Sequence, residues 1–294
     1  MRRVMKLALS VGLSVIWLLL GTTAVLAQVR AGTAEAQEDV TRYVRFAYEG
    51  REVYGVLEGD AVHELAGTPF DGSPRTGVSV PVARVRLLAP CEPSKVIAVG
   101  LNYRSHLGDR EPAAYPGLFA KYPTSIVGSG DSIVMPPDAS NLHYEGEMVI
   151  VIGREARRVS PAEALEYVFG VTAGNDVSER DWQRDDLQWL RSKASDTFGP
   201  VGPVIARGLD YDDLLLETRV NGEVRQRERT RDLIFDVAAI VSYVSRYVTL
   251  LPGDLIFTGT PGTTRAMAPG DTVEVELEGV GVLRNVVARA PEHP

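Results

Sequence analysis

Hydrophobic positions in this chain come in short runs, and many of them alternate with polar ones. Tyr43-Val44-Arg45-Phe46-Ala47-Tyr48, residues 53–57 and Ala61-Val62-His63-Glu64-Leu65 are separated by Glu49-Gly50 and Glu58-Gly59-Asp60. Short alternating runs broken by glycine-containing turns predict an antiparallel meander. A stretch with three prolines, 81–93, predicts a connector. Beyond it, apolar runs at 95–100, 125–127, 132–135, 148–152, 168–173, 201–205, 217–220 and 255–258 predict strands, and Thr272-Val273-Glu274-Val275-Glu276-Leu277 alternates through the tail. Helical spacing is scarcer. Ser160-Pro161-Ala162-Glu163 has the cap residue, first-position proline and acid of a helix start, and 233–247 is the longest helix candidate. Many strands without regular strand–helix alternation predict an α+β fold.

The first residues break this pattern. Arg2, Arg3 and Lys6 precede an apolar run over 7–20, and small or short side chains then lead to Ala27. This order predicts a signal peptide, residues 1–27, cleaved after Ala27 and sending the chain to the periplasm; an uncleaved membrane anchor is the alternative. Residues 28–40, rich in Ala, Gly, Glu and Gln, predict a flexible spacer. The rest divides into a small β-rich region, 41–90, and a larger domain, 91–294. With 45% hydrophobic and 24% charged residues the chain suits a globular protein with a substantial core. Its formal net charge is −8, and residues 1–27 hold no acidic residue, so their removal leaves a still more acidic chain. An acidic protein is a poor partner for a phosphate backbone, which argues against nucleic acid. The sole cysteine, Cys91, excludes an intramolecular disulfide and is expected to be a small buried hydrophobe.

Candidate chemistry centres on Glu145 and Glu147, just ahead of Met148-Val149-Ile150-Val151-Ile152. Residues two apart in a strand share a face, so both carboxylates project together beside a buried segment. Charge at the edge of a core is costly unless it is paired or binds a cation. The run at 168–173 leads to Asn175-Asp176, a third carboxylate at a strand end. Three hard oxygen ligands, in a chain with one cysteine and four histidines, suggest Mg²⁺ or Mn²⁺ rather than Zn²⁺; the same spacing also fits a solvated acidic pair. His106 follows a strand end, with Asp109 three residues on. One helical turn would bring that carboxylate beside the imidazole and make a general base, or a surface pair. Lys193 lies between apolar segments; near a metal it would stabilise an enolate oxygen. The hydroxyl and N–H groups of Gly259-Thr260-Pro261-Gly262 could hold a carboxylate. No G-x-S-x-G elbow, P-loop or G-x-G-x-x-G is present, which counts against the commonest serine hydrolase, phosphoryl-transfer and dinucleotide readings.

Several motifs then converge in order: Gly100-Leu101-Asn102-Tyr103 with His106, Phe119-Ala120-Lys121 through Pro136, His143-Tyr144-Glu145-Gly146-Glu147, Gly174-Asn175-Asp176 through Gln183, Lys193 through Pro200, Val220-Asn221-Gly222, and Phe257-Thr258-Gly259-Thr260-Pro261. Over roughly residues 95–290 the chain resembles the fumarylacetoacetate hydrolase superfamily. The resemblance implies a mixed β-sandwich roll after a small β-rich N-terminal region, and a homodimer. It implies a divalent metal, Mg²⁺ or Mn²⁺, on Glu145, Glu147 and Asp176. Arg180, Gln183, Lys193 and Thr260 would surround a small 2-oxo acid or dioate substrate. His106 and a carboxylate three residues later, here Asp109, would form a dyad on a mobile lid, with Glu111 as a substitute partner for the shorter Asp. Arg104, Tyr115, Phe119 and Tyr122 are candidates to line that lid. The loop Gly262-Thr263-Thr264-Arg265 departs from the family pattern. The implied activity is hydrolysis of a C–C bond in an acylpyruvate-like 2-oxo acid through a metal-stabilised enolate. Isomerisation or tautomerisation of a 2-hydroxymuconate-like dioate is the alternative, followed by decarboxylation of an oxaloacetate-type acid, and, outside catalysis, a metal-dependent periplasmic binding protein.

Overall fold

The computed structural model describes residues 40–291. The predicted signal peptide and nearly all of the predicted spacer lie outside the described residues, as does His293. The described chain forms strands β1 (Thr41–Tyr48), β2 (Arg51–Glu58), β3 (Ala61–Leu65), β4 (Arg75–Pro81), β5 (Arg86–Leu87) and β6 (Val96–Gly100), then helix α1 (Arg104–Leu107). Next come β7 (Gly117–Lys121), β8 (Ile126–Val127), β9 (Ser132–Met135), β10 (Leu142–His143), β11 (Gly146–Ile152), β12 (Val168–Asn175) and β13 (Ser178–Glu179). Two short helices, α2 (Arg180–Asp185) and α3 (Leu190–Ala194), lead to β14 (Gly199–Arg207), β15 (Leu215–Val220) and β16 (Glu223–Arg229). Helix α4 (Val237–Ser245) precedes β17 (Leu255–Phe257), β18 (Thr272–Leu277) and β19 (Gly281–Arg289). This strand-dominated α+β chain is the class that the alternation predicts.

The main sheet runs β4-β3-β2-β1-β14-β12-β11-β17-β6-β7, with β5 on β1 and β8 on β14; a second runs β16-β15-β18-β19-β9, and β10 pairs with β13. The N-terminal strands are not a separate layer. Tyr43 of β1 pairs with Ile205 of β14, so the meander extends the central sheet. Strand β11 explains its own continuous apolar run. Met148, Ile150 and Ile152 enter one core cluster with α4 and the second sheet, while Val149 and Val151 enter another with Val96, Ile205 and Phe257. Both faces are buried, so no polar alternation survives.

Two helix expectations change. Residues 233–247 yield the shorter α4, started where the Asp236 carboxylate accepts from the Ala239 N–H. Ser160–Glu163 starts no α-helix. The Ser160 hydroxyl bonds the Glu163 carboxylate, and the only helical piece that follows before β12 is a 3-10 turn, Ala164–Tyr167. The Tyr167 carbonyl already accepts from the Gly153 N–H, which ties the segment to β11 before a helix can propagate.

Candidate active site

Strand pairing assembles the acidic cluster. β11 runs antiparallel to β12 with Gly146 opposite Asn175, so the start of one strand lies beside the end of the other. The Asp176 N–H donates to the Glu145 carbonyl at 2.8 Å, and the Glu145 N–H donates to the Asn175 side-chain oxygen at 2.9 Å. Gly146 permits the approach: a Cβ there would lie 1.9 Å from Thr218 Oγ1 on the second sheet. Glu145, Glu147 and Asp176 are all buried, and each offers an oxygen within 4.8 Å of the others.

Three carboxylates buried together need compensation. Lys193 on α3 donates through Nζ to Glu145 Oε2 at 2.6 Å and to Asp176 Oδ2 at 2.7 Å. Lys121, at the end of β7, donates to Asp176 Oδ1 at 2.6 Å and to the Lys193 carbonyl. Arg180, at the start of α2, donates to Glu145 Oε1, and the Gly259 N–H donates to Glu147 Oε2 at 2.7 Å. The two glutamates therefore differ. Burial penalises the Glu145 charge, but Lys193 and Arg180 outweigh it and hold the carboxyl well below its usual range. Burial, with Asp176 and Glu145 alongside, pushes Glu147 well above that range. Burial also opposes the Lys193 charge, yet Asp176 and Glu145 hold its ammonium form above the ordinary lysine value.

The cluster opens into a cavity of about 650 Å³ whose walls include His106, Arg110, Phe119, Arg180, Gln183, Trp189, Lys193, Thr260 and Thr264. His106 Nδ1 is 2.5 Å from the Gly262 carbonyl, an acceptor, so Nδ1 carries the proton and Nε2 is left as the base. Nε2 lies 3.9 Å from Glu145 Oε1. The expected dyad with Asp109 is not formed. Helix α1 ends at Leu107, Gly108 follows at φ +61°, and Asp109 and Glu111 are both exposed and pair with nothing among the described residues. The lid expectation is corrected in part: Phe119 lines the cavity, whereas Tyr115 is 61% exposed and stacks on Tyr243. Tyr122 and Arg104 are exposed and line nothing in this cavity.

Thr260 and Gln183 are at the wall, but each is already engaged. The Thr260 hydroxyl donates to the Gly146 carbonyl and accepts from Gln226, and Gln183 accepts from Arg180. Sequence reasoning gave no role to Lys121, Gln226, His143 or Thr264. Burial, then the Arg180 charge, lowers His143 to about 4, so it is neutral near pH 7. Its Nε2–H donates to Asn141 Oδ1, Nδ1 accepts from the Thr264 hydroxyl, and that hydroxyl accepts from Arg180. This relay, which reaches Thr264 in the loop after β17, fixes the guanidinium over Glu145. No sequence spacing announces it, because His143 and Thr264 meet only through the His143–Ala266 bridge.

Solved structures share this framework. A 2-hydroxyhepta-2,4-diene-1,7-dioate isomerase from Mycobacterium marinum is 46% identical with a TM-score of 0.81, covering 86% of this chain and 100% of that one. A maleylpyruvate hydrolase from Sphingobium sp. SYK-6, in complex with manganese(II) ion and pyruvate, is 29% identical with a TM-score of 0.70, covering 85% and 100%. Among curated proteins, Protein Rv2993c of Mycobacterium tuberculosis is 48% identical over 231 residues, 77% of this chain and 87% of that protein. The mitochondrial oxaloacetate tautomerase Fahd2a of Rattus norvegicus is 40% identical over 222 residues, 71% of each. Residues 41–90 match the family described as Rv2993c-like, N-terminal. Residues 95–288, which supply every wall of the cavity, match the family described as Fumarylacetoacetate (FAA) hydrolase C-terminal, and the chain belongs to that family.

Proposed function

We propose that this protein is a divalent-metal-dependent tautomerase or isomerase of a dianionic 2-oxo acid, of which oxaloacetate is the simplest. The observation that carries the reading is the buried set of Glu145, Glu147 and Asp176 facing a cavity with one free imidazole nitrogen. The three oxygens fit Mg²⁺ or Mn²⁺: they are hard donors, and Glu147 is left with the charge repulsion that a cation would relieve. When bound, the cation supplies a Lewis acid that polarises the 2-oxo group.

The chain's own residues do the rest. Arg180 and Lys193 place positive charge where a carboxylate and the 2-oxo oxygen would sit, and so favour the enol-forming direction. His106 Nε2, with its lone pair toward the cavity, takes the proton from the carbon beside the 2-oxo group and returns it to another site on the substrate. Trp189 and Phe119 pack edge to face at 5.4 Å between ring centres and keep water from that flank. Lys121, Lys193 and Arg180 offset the charge of Glu145, Glu147 and Asp176, so a divalent cation would leave this end of the cavity positive and suited to an anionic substrate. The tautomerase and the dioate isomerase named above support the same chemistry.

Hydrolysis of an acylpyruvate is the second reading, favoured by the likeness to the maleylpyruvate hydrolase. It needs a group that activates water, and with the His106–Asp109 pair not formed that role would fall to His106 alone. Offering oxaloacetate, a 2-hydroxymuconate-type dioate and acetylpyruvate with Mg²⁺, and following products by NMR, decides between them. Tautomer exchange or double-bond migration with an intact carbon chain supports the proposal; pyruvate plus acetate from acetylpyruvate makes it a hydrolase. Export by residues 1–27 and pairing into a homodimer belong to the same proposal, tested by N-terminal sequencing of the mature protein and by light scattering.

A further inference from the structure

The cations around the cavity are not equivalent. Lys193 is bonded to two carboxylates, and Arg180 to Glu145, Gln183 and Thr264. Arg184 is clamped by Asp181 and Asp185, with contacts of 2.8–3.0 Å. His143 is engaged at both ring nitrogens, by Thr264 and Asn141. Arg110 differs from all of these. It lines the same cavity, it is exposed, and among the described residues no carboxylate or other acceptor engages its guanidinium. Its backbone is nonetheless placed: the Arg110 N–H donates to the Leu107 carbonyl across the Gly108 turn, which sets it directly after the helix that carries His106.

We infer that Arg110 is the receptor for the distal carboxylate of a dianionic substrate and selects dioates over 2-oxo monocarboxylates. The inference rests on the function proposed above and adds to it the residue that sets substrate class. A 2-oxo dioate has two anionic ends. The carboxylate next to the 2-oxo group belongs at the acidic cluster with its cation, beside Arg180. The other end points away from that cluster, toward the mouth, where the cavity offers Arg110. A cavity of about 650 Å³ is far larger than a four-carbon acid, so shape alone cannot orient the substrate and a second charged contact is required. An arginine can donate two parallel N–H bonds to one carboxylate, a bidentate geometry that a lysine does not offer. The same exposed turn that removes Asp109 from His106 thus puts Arg110 in the cavity wall, with no carboxylate partner among the described residues.

Calorimetric binding to the full mature chain with Mg²⁺ tests this with two probes. 3,3-Difluorooxaloacetate is a dianion with no proton to lose at the carbon beside the 2-oxo group; pyruvate lacks the distal carboxylate. Arg110→Ala is expected to weaken the dianion about 10–100-fold and to leave pyruvate within about twofold, since a charge-assisted hydrogen-bond pair is lost from one ligand and not the other. Arg110→Lys should fall between. In turnover the same variant should raise KM for oxaloacetate with kcat little changed. Equal weakening of both probes, or none for the dianion while the wild type binds both, overturns the role of Arg110 and leaves the proposed function standing. A wild type that binds neither probe with Mg²⁺ overturns both.

Discussion

The two ends of the cavity are built differently. At the inner end Glu145, Glu147 and Asp176 sit at the junction of β11 and β12, buried and held by backbone bonds, two lysines and an arginine. At the outer end the four-residue helix α1 sends His106 inward, to 3.9 Å from Glu145 Oε1, while Asp109, Arg110 and Glu111 follow on an exposed turn. Sheet register determines the first arrangement and resists change, because moving one carboxylate means moving the core. The second is held by a few bonds, such as Gly262 N–H to Ser105 Oγ at 2.9 Å. Relatives that share the inner end can therefore differ in reaction or substrate through the outer one.

That contrast can be broken by substitution. His106→Ala should lower kcat about 10²- to 10⁴-fold, the range for losing a general base, while Asp109→Asn should change it by less than about twofold. Equal losses in the two variants, measured under saturating substrate, would mean that the outer turn forms a dyad during turnover after all. Lys193→Met should cost roughly 3–5 kcal/mol of stability, because it leaves Glu145 and Asp176 as buried charges short of a partner. A urea unfolding midpoint unchanged by that substitution would show that the inner end does not need its lysine.

His143 sharpens the comparison through pH. Its folded value, about 4, lies below the ordinary 6.5, so between those values the unfolded chain binds a proton that the folded chain refuses. Stability should therefore fall as pH drops from about 6.5 to about 4, and His143→Gln should flatten that part of the profile. A profile with the same slope in both proteins would place the proton uptake elsewhere. The smallest effect concerns Cys91. Burial, with Asp254 nearby, raises its thiol to about 12, so folded protein at pH 8 should resist iodoacetamide while denatured protein reacts. Rapid labelling of the native chain would mean that this part of the core opens.

The same contrast decides what could be read from the sequence. The inner end was legible because it depends on strands whose pattern is local: a run apolar on both faces preceded by Glu-Gly-Glu, and another ending in Asp176. Its lysine partners were half legible. Lys193 stood between apolar segments, but Lys121 looks like any lysine at the end of a strand until β7, α3 and β12 converge on it. The outer end was not legible as a dyad because a glycine interrupts it. Gly108 sits between His106 and Asp109 and takes φ +61°, so no helical turn spans the pair. The expected helix at Ser160 failed because a capping signal cannot foresee that Tyr167 is needed by Gly153, directly after β11. Arg180's anchorage was out of reach, since the β10–β13 pair sets Asn141 and His143 beside Arg180 and Thr264 arrives only with the loop after β17.

The most direct test of the account is the rate of oxaloacetate enol–keto conversion for wild type and Glu147→Gln, first in chelator and then with Mg²⁺ restored. The account predicts that the wild type loses its catalysed rate in chelator and regains it with Mg²⁺. Glu147→Gln, folded and with a higher metal-free melting temperature because a repelled carboxylate is gone, should remain at least about 10³-fold slower throughout. An undiminished rate in chelator, or a full rate in Glu147→Gln, would contradict the claim that the three carboxylates act as a metal site.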